Sequence, residues 1–303
     1  MTESRADCVV VGVDGSVSAL AAVRWAAREA GRTGDTVRPV HAYQLPAGSD
    51  EERELGEIER REQSRQWLHE AEIVAATTAP GVQVRLGLRA GDVRNVLLDE
   101  ADRARQVVVG SRHAHGVDRL VVGSAGLALA MRGRCPVVVV HDRVPETGSV
   151  VVGLDGWPEC APAVRFAFLW ASAQPTSLTA VRAWHAPATA DSARIHDRER
   201  RVLTEHLASL TAEFPQVPVE QVVLRGFAGE ALLDYGAHAR LLVVGGPGRT
   251  GFGRLLLGGT SMRVARHAPS PVAVIRSAEV VRRWQDRVQS DLVAGPETAG
   301  GPS

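Results

Sequence analysis

Only three cysteines occur in 303 residues, Cys8, Cys135 and Cys160, and no two of them stand in CxxC spacing. An odd number without paired spacing argues against a disulfide framework or a zinc site, and it reads as buried thiols. An excess of either charge is missing too, since 35 basic residues face 35 acidic ones. With no net positive field to steer the chain towards a polyanion, nucleic acid is not an expected partner. No apolar run approaches the roughly 18 residues of a membrane-crossing helix. The start, MTESRADCVVVGVDGS, lacks a basic segment followed by a long apolar one. The expectation is a cytoplasmic protein with no membrane partner. Motifs of turnover are absent as well: there is no GK followed by Ser or Thr, and no GxSxG. Cys135 stands directly before Pro136 and an apolar strand, which suits core rather than nucleophile. His113, His115 and Asp118 share a loop without a fourth ligand, so no metal site is assigned. No catalytic residue is assigned, and the chain is not expected to be an enzyme.

What is present is a sequence written twice. At 45% hydrophobic and 23% charged residues, the chain has the make-up of a globular protein long enough for two domains. VVGVDG at 10–15 recurs as VVGLDG at 151–156, and VHAYQLP at 40–46 recurs as VRAWHAP at 181–187, both 141 residues later. Gly110, Gly123 and Pro136 recur as Gly245, Gly258 and Pro271 at an offset of 135, so the second copy is six residues shorter between Pro187 and Val217.

Each copy alternates strand and helix. In the first, an apolar strand ends at Asp14, and Leu20, Val23 and Ala27 give 18–30 one helical face. A strand TVRPVHAY follows, then a long helix from about 51 to 78 whose buried face is expected at Leu55, Ile58, Trp67, Leu68, Ala71 and Val74. After it come strand VQVRLGL, a helix opening near Gly91, strand QVVVG, a helix over 123–133 and strand PVVVV. Apolar β-branched strands between helices imply crossover connections and a parallel sheet covered on both sides, an α/β fold. The expected domains are 1–141 and 149–276, with 142–148 as linker. Val281, Trp284, Val288 and Leu292 predict one more amphipathic helix within 277–303, ahead of a flexible tail.

Open parallel sheets bind ligands at the carboxyl ends of their strands, where Asp14 and Asp155 and both glycine loops fall. The second loop, VVGGPGRTGFGRLLLGGTS at 243–261, spaces Gly245, Gly248 and Gly258 as G-x2-G-x9-G ahead of a helix. Glycines let main-chain N–H groups approach a phosphate chain, and the helix start adds unsatisfied donors. Arg249 and Arg254, and Arg112 and Arg119 in the first loop, could neutralise phosphate charge or be solvated loop residues. Two readings are open for Asp14: a cap for the helix that follows it, or an acceptor for ribose hydroxyls or a base.

These residues resemble the universal stress protein family of UspA-like domains, in tandem, over about 7–141 and 149–276. The resemblance implies two Rossmann-like domains of the adenine nucleotide alpha hydrolase-like kind, each a five-stranded parallel sheet flanked by helices. It implies adenine nucleotide as partner, ATP with Mg2+ as an option, and stress sensing or regulation rather than fast turnover. It also implies that PVVVV and PVAVI pair as a pseudo-dimer within the chain, leaving room for a further homodimer. Carried onto this sequence, the family motif falls on Asp14, Ala42, Gly110, Gly123 and Ser124 in the first copy, with His113 in place of its second glycine. In the second it falls on Asp155, Ala183, Gly245, Gly248 and Gly258. There Gly259 takes the Ser/Thr place, and Thr260 comes one residue later. Ala42 and Ala183 match positions that pack on adenine. The second copy keeps all three glycines, so nucleotide is expected there first. Two other readings stay open: a non-nucleotide interaction module with decayed sites, and a slow ATP hydrolase.

Overall fold

A computed structural model of the chain describes residues 8–44, 49–113, 120–121, 123–141, 144–156, 158–187, 191–246 and 258–293. The first half runs β1 (Cys8–Gly12), α1 (Val17–Thr33), β2 (Thr36–Tyr43), α2 (Asp50–Thr78), β3 (Gly87–Ala90), α3 (Val93–Ala101) and β4 (Gln106–Gly110). A two-stranded ribbon, β5 (Arg112–His113) and β6 (Leu120–Val121), then precedes α4 (Ser124–Arg132) and β7 (Val137–Val140). The second half runs β8 (Val150–Gly153), a 3-10 turn (Pro158–Cys160), α5 (Ala161–Ala173), β9 (Leu178–Trp184), α6 (Ser192–Glu213) and β10 (Val219–Arg225). It continues through α7 (Ala228–Gly236), β11 (Leu241–Gly245), α8 (Gly259–His267) and β12 (Val272–Ile275), and α9 (Ala278–Val293) follows.

Valine runs dominate the central strands because both faces of the sheet are covered. Along β1, Val9 and Val11 face one core cluster and Val10 the other. α1, α2, α5, α6 and α9 supply the first cluster, and α3, α4, α7 and α8 the second. Each half orders its five parallel strands third, second, first, fourth, fifth. The halves do not form two separate sheets. β7 and β12 pair antiparallel, Val138 opposite Ala273, and fuse them into one sheet ordered β10-β9-β8-β11-β12-β7-β4-β1-β2-β3. The last strands thus meet within the chain.

Side chains reinforce this joint. Trp284 of α9 packs edge-on against Phe166 of α5 at 5.1 Å, while the Arg105 guanidinium lies 5.1 Å from its ring centre. Arg105 also pairs with Asp35 at 2.7 Å, both buried. Glu29 of α1 accepts from Gln174, which also meets Arg240. Burial pushes the Glu29 carboxyl above its ordinary range against the opposing pull of Arg240.

Two expectations change. Leu55 and Ile58 are 61% and 59% exposed, so the buried face of α2 begins only at Ser64 and continues through Leu68, Ala71 and Ala75. Among the described side chains of the preceding charged turns, 54–63, none is buried. Strand three is shifted to Gly87–Ala90, with only an isolated bridge, Val37 to Val84, in its expected first part. The ladder lapses opposite Pro39 of β2, which has no N–H to donate. No disulfide joins the described cysteines; Cys135 and Cys160 are buried and Cys8 is half-buried. No described helix is long and apolar enough to cross a membrane.

Candidate functional site

Strands one and four lie side by side in each half, and the chain leaves their carboxyl ends in opposite directions, which opens a crevice. In the second half this crevice is a cavity of about 300 Å³. Asp155 and Cys160 border it after β8, Ala183 on β9, Ala228 and Leu232 on α7, and Gly245, Gly258, Gly259 and Thr260 around the start of α8. An exposed carboxylate and a small apolar wall therefore stand on one side. On the other stands a helix start whose N-cap, Gly258, makes no side-chain cap hydrogen bond to the first-turn N–H groups among the described residues. Those donors and the positive end of the helix dipole suit an anion. Ser261 donates its hydroxyl to the Gly245 carbonyl at 2.9 Å and ties α8 to the end of β11. Burial first, and the charge of Asp155 second, push the Cys160 thiol up, so it stays neutral. Burial likewise pushes Cys135 up to about 12, in keeping with a core role.

The first half builds the same crevice and then fills it, leaving about 50 Å³ beside Asp14, Ser16, Gly110 and Ala125. Ser16 caps α1 by accepting from Ala19 N at 3.2 Å, and Asp14 accepts from the Ser16 hydroxyl at 2.6 Å. Asp14 is thus not the cap; it orients the cap. This tight start presses on β4: a Cβ added at Gly110 would stand 2.5 Å from the Ser18 backbone. At Gly245 the nearest atom would be the Cys160 Cα at 3.5 Å, because Pro158 opens the second copy with a 3-10 turn and α5 begins only at Ala161. Val93 of α3 also replaces the smaller Ala228 on the wall.

Of the residues singled out by sequence, the second cavity gathers Asp155, Ala183, Gly245, Gly258, Gly259 and Thr260. Asp14 and Gly110 border the small first cavity, whereas Ala42, half-buried on β2, and Gly123, the N-cap of α4, do not. His113 pairs with Leu120 in the β5–β6 ribbon. Gly248, His115, Asp118, Arg119, Arg249 and Arg254 lie outside the described residues, as do the side chains of Arg112, His113 and Ser124. Sequence reasoning missed Cys160, Ala228, Leu232 and Ser261. Ser261 alone carried a signal, as a second hydroxyl close after Gly258.

The sequence pattern of the Universal stress protein family matches this chain twice, over residues 7–141 and 147–276. The chain belongs to the universal stress protein family. A universal stress protein of Mycolicibacterium smegmatis is 34% identical over 289 residues, 88% of this chain and 96% of that one. One of Mycobacterium tuberculosis is 31% identical over 287 residues, 89% and 97% of the two chains. Among solved structures, a universal stress protein from Archaeoglobus fulgidus superposes with a TM-score of 0.69 at 18% identity, covering 90% of this chain and 99% of its own. That likeness spans both halves, so the tandem α/β architecture of this universal stress protein is shared with it.

Proposed function

We propose that this universal stress protein binds ATP or a related adenine nucleotide in the cleft of its second half and acts as a stress-responsive sensor or regulator rather than a fast enzyme. The observation that carries the reading is the cleft itself. Its volume, about 300 Å³, is at the lower end of the roughly 300–1,000 Å³ of small-molecule sites. Its two sides also differ as the two ends of a nucleotide do. Asp155 offers an acceptor for ribose hydroxyls beside the apolar Ala183 and Leu232, and the open start of α8 offers donors for phosphate oxygens. Mg2+ would travel on the phosphates; among the described residues no three His, Cys, Asp or Glu gather to hold a metal. Domain limits at 1–141 and 149–276, with 142–148 as linker, accord with this division of labour.

The first half supports the second reading, a structural module. Its cavity beside Asp14 and Gly110, about 50 Å³, is much smaller than that of the second half, which favours the second half as the nucleotide site. Purified protein, denatured and its released small molecules examined by mass spectrometry, should yield an adenine nucleotide. Release of none, together with no heat of binding on titration with millimolar ATP and Mg2+, would overturn the proposal.

A further inference from the structure

We infer that Phe227, which directly precedes Ala228 of the second cleft's wall and stacks on His185, is a specificity-determining residue that stacks on the base of the bound nucleotide; this rests on the nucleotide reading above. Phe227 directly precedes Ala228, and His185 lies two residues beyond Ala183 at the end of β9, so both adjoin residues of the cleft wall. Their rings stack at 5.2 Å with a 17° tilt, and Phe227 is 63% exposed. The stack therefore offers a broad apolar face to solvent beside the site. An isolated exposed aromatic is unremarkable on its own. The comparison between the halves gives this one meaning.

In the first half the matching residue is Asp92, an N-cap whose carboxylate accepts from Arg94 N at 3.0 Å and Asn95 N at 3.3 Å. The backbone around the two positions is held alike: Gly91 N donates to Tyr43 O and Gly226 N to Trp184 O, each at 2.9 Å. Phe227 thus takes the N-cap place of α7 and makes no side-chain cap hydrogen bond among the described residues. A helix start has given up its cap for an exposed ring. The exchange occurs only in the half whose cleft is open, and it coincides with His185 in place of Gln44 and Ala228 in place of Val93. The small Ala183 and Ala228 leave space beside the ring for a flat heterocycle, and every base has a π-face to offer it. Such stacking distinguishes a nucleotide from a base-free polyphosphate. It does not distinguish one base from another.

The test uses the full chain, Phe227→Asn and Phe227→Tyr, each titrated calorimetrically with ATP and with inorganic tripolyphosphate. Asn restores a capping side chain without adding charge, so the variant should melt no lower than the parent. ATP binding to Phe227→Asn should weaken about tenfold or more, as expected for a lost base–aromatic stack, with tripolyphosphate unchanged and Phe227→Tyr like the parent. ATP binding to Phe227→Asn within about threefold of the parent, or an equal loss for tripolyphosphate, overturns the assignment of Phe227 alone. A parent chain that binds neither probe overturns the nucleotide reading, and this inference with it.

Discussion

Gly259 begins α8 at the position where the first half carries Ser124, and a Cβ built on it meets nothing within 4 Å. Its backbone is not in the left-handed region, since it is absent from the glycines of positive φ. Gly259→Ser should therefore fold without strain and melt at or above the parent temperature, because serine has fewer unfolded conformations to lose. If the α8 start holds phosphates, the added hydroxyl should also tighten ATP by about one hydrogen bond's worth, roughly 0.5–1.5 kcal/mol. Melting curves and titration calorimetry check both. At this scale the site was partly legible in the sequence. Asp155, Ala183 and the spaced glycines announce themselves by recurring in register. Cys160 and Leu232 do not, because their place at the cleft comes from how α5 and α7 approach the sheet, and no local pattern records that approach.

Elements show the same division. α3 is held to β2 and the edge strand β3 by Glu100, which pairs with Arg38 at 2.9 Å and Arg89 at 3.0 Å. Burial alone would raise the Glu100 carboxyl, but Arg38 and then Arg89 outweigh it and hold the group below its ordinary 4.5. A carboxylate depressed by folding adds stability that is present above the ordinary value and is lost as pH falls through the folded one. Glu100→Gln should thus lower stability at neutral pH by about 1–3 kcal/mol. Denaturant melts repeated at descending pH should show the gap from the parent closing below 4.5. A gap independent of pH would contradict the ion-pair account. Strands β1, β2, β4 and β7 stand where their apolar runs predict, since continuous valine suits a strand buried on both faces. β3 and the first half of α2 do not. The first depends on a missing donor at Pro39 in a neighbouring strand, and the second on how far the sheet reaches beneath a helix that is periodic throughout.

The whole molecule joins two copies of one fold through β7 and β12, with α9 spanning the joint, and lets the two crevices diverge. One start, Asp14 to Ser18, is drawn tight by a serine cap against Gly110. The other, after Asp155, is opened by Pro158 and a 3-10 turn. The duplication and the departures at His113 and Gly259 are plain in the sequence. The closure of the first crevice is not, because the first loop keeps its outer glycines while the volume is lost to the packing of α1. This asymmetry between the crevices sets the stoichiometry of ATP binding. Calorimetric titration of the full chain should give one ATP per chain, abolished by Gly258→Val and unaffected by Gly123→Val. Two ATP per chain, or binding that survives Gly258→Val and vanishes with Gly123→Val, would contradict the account.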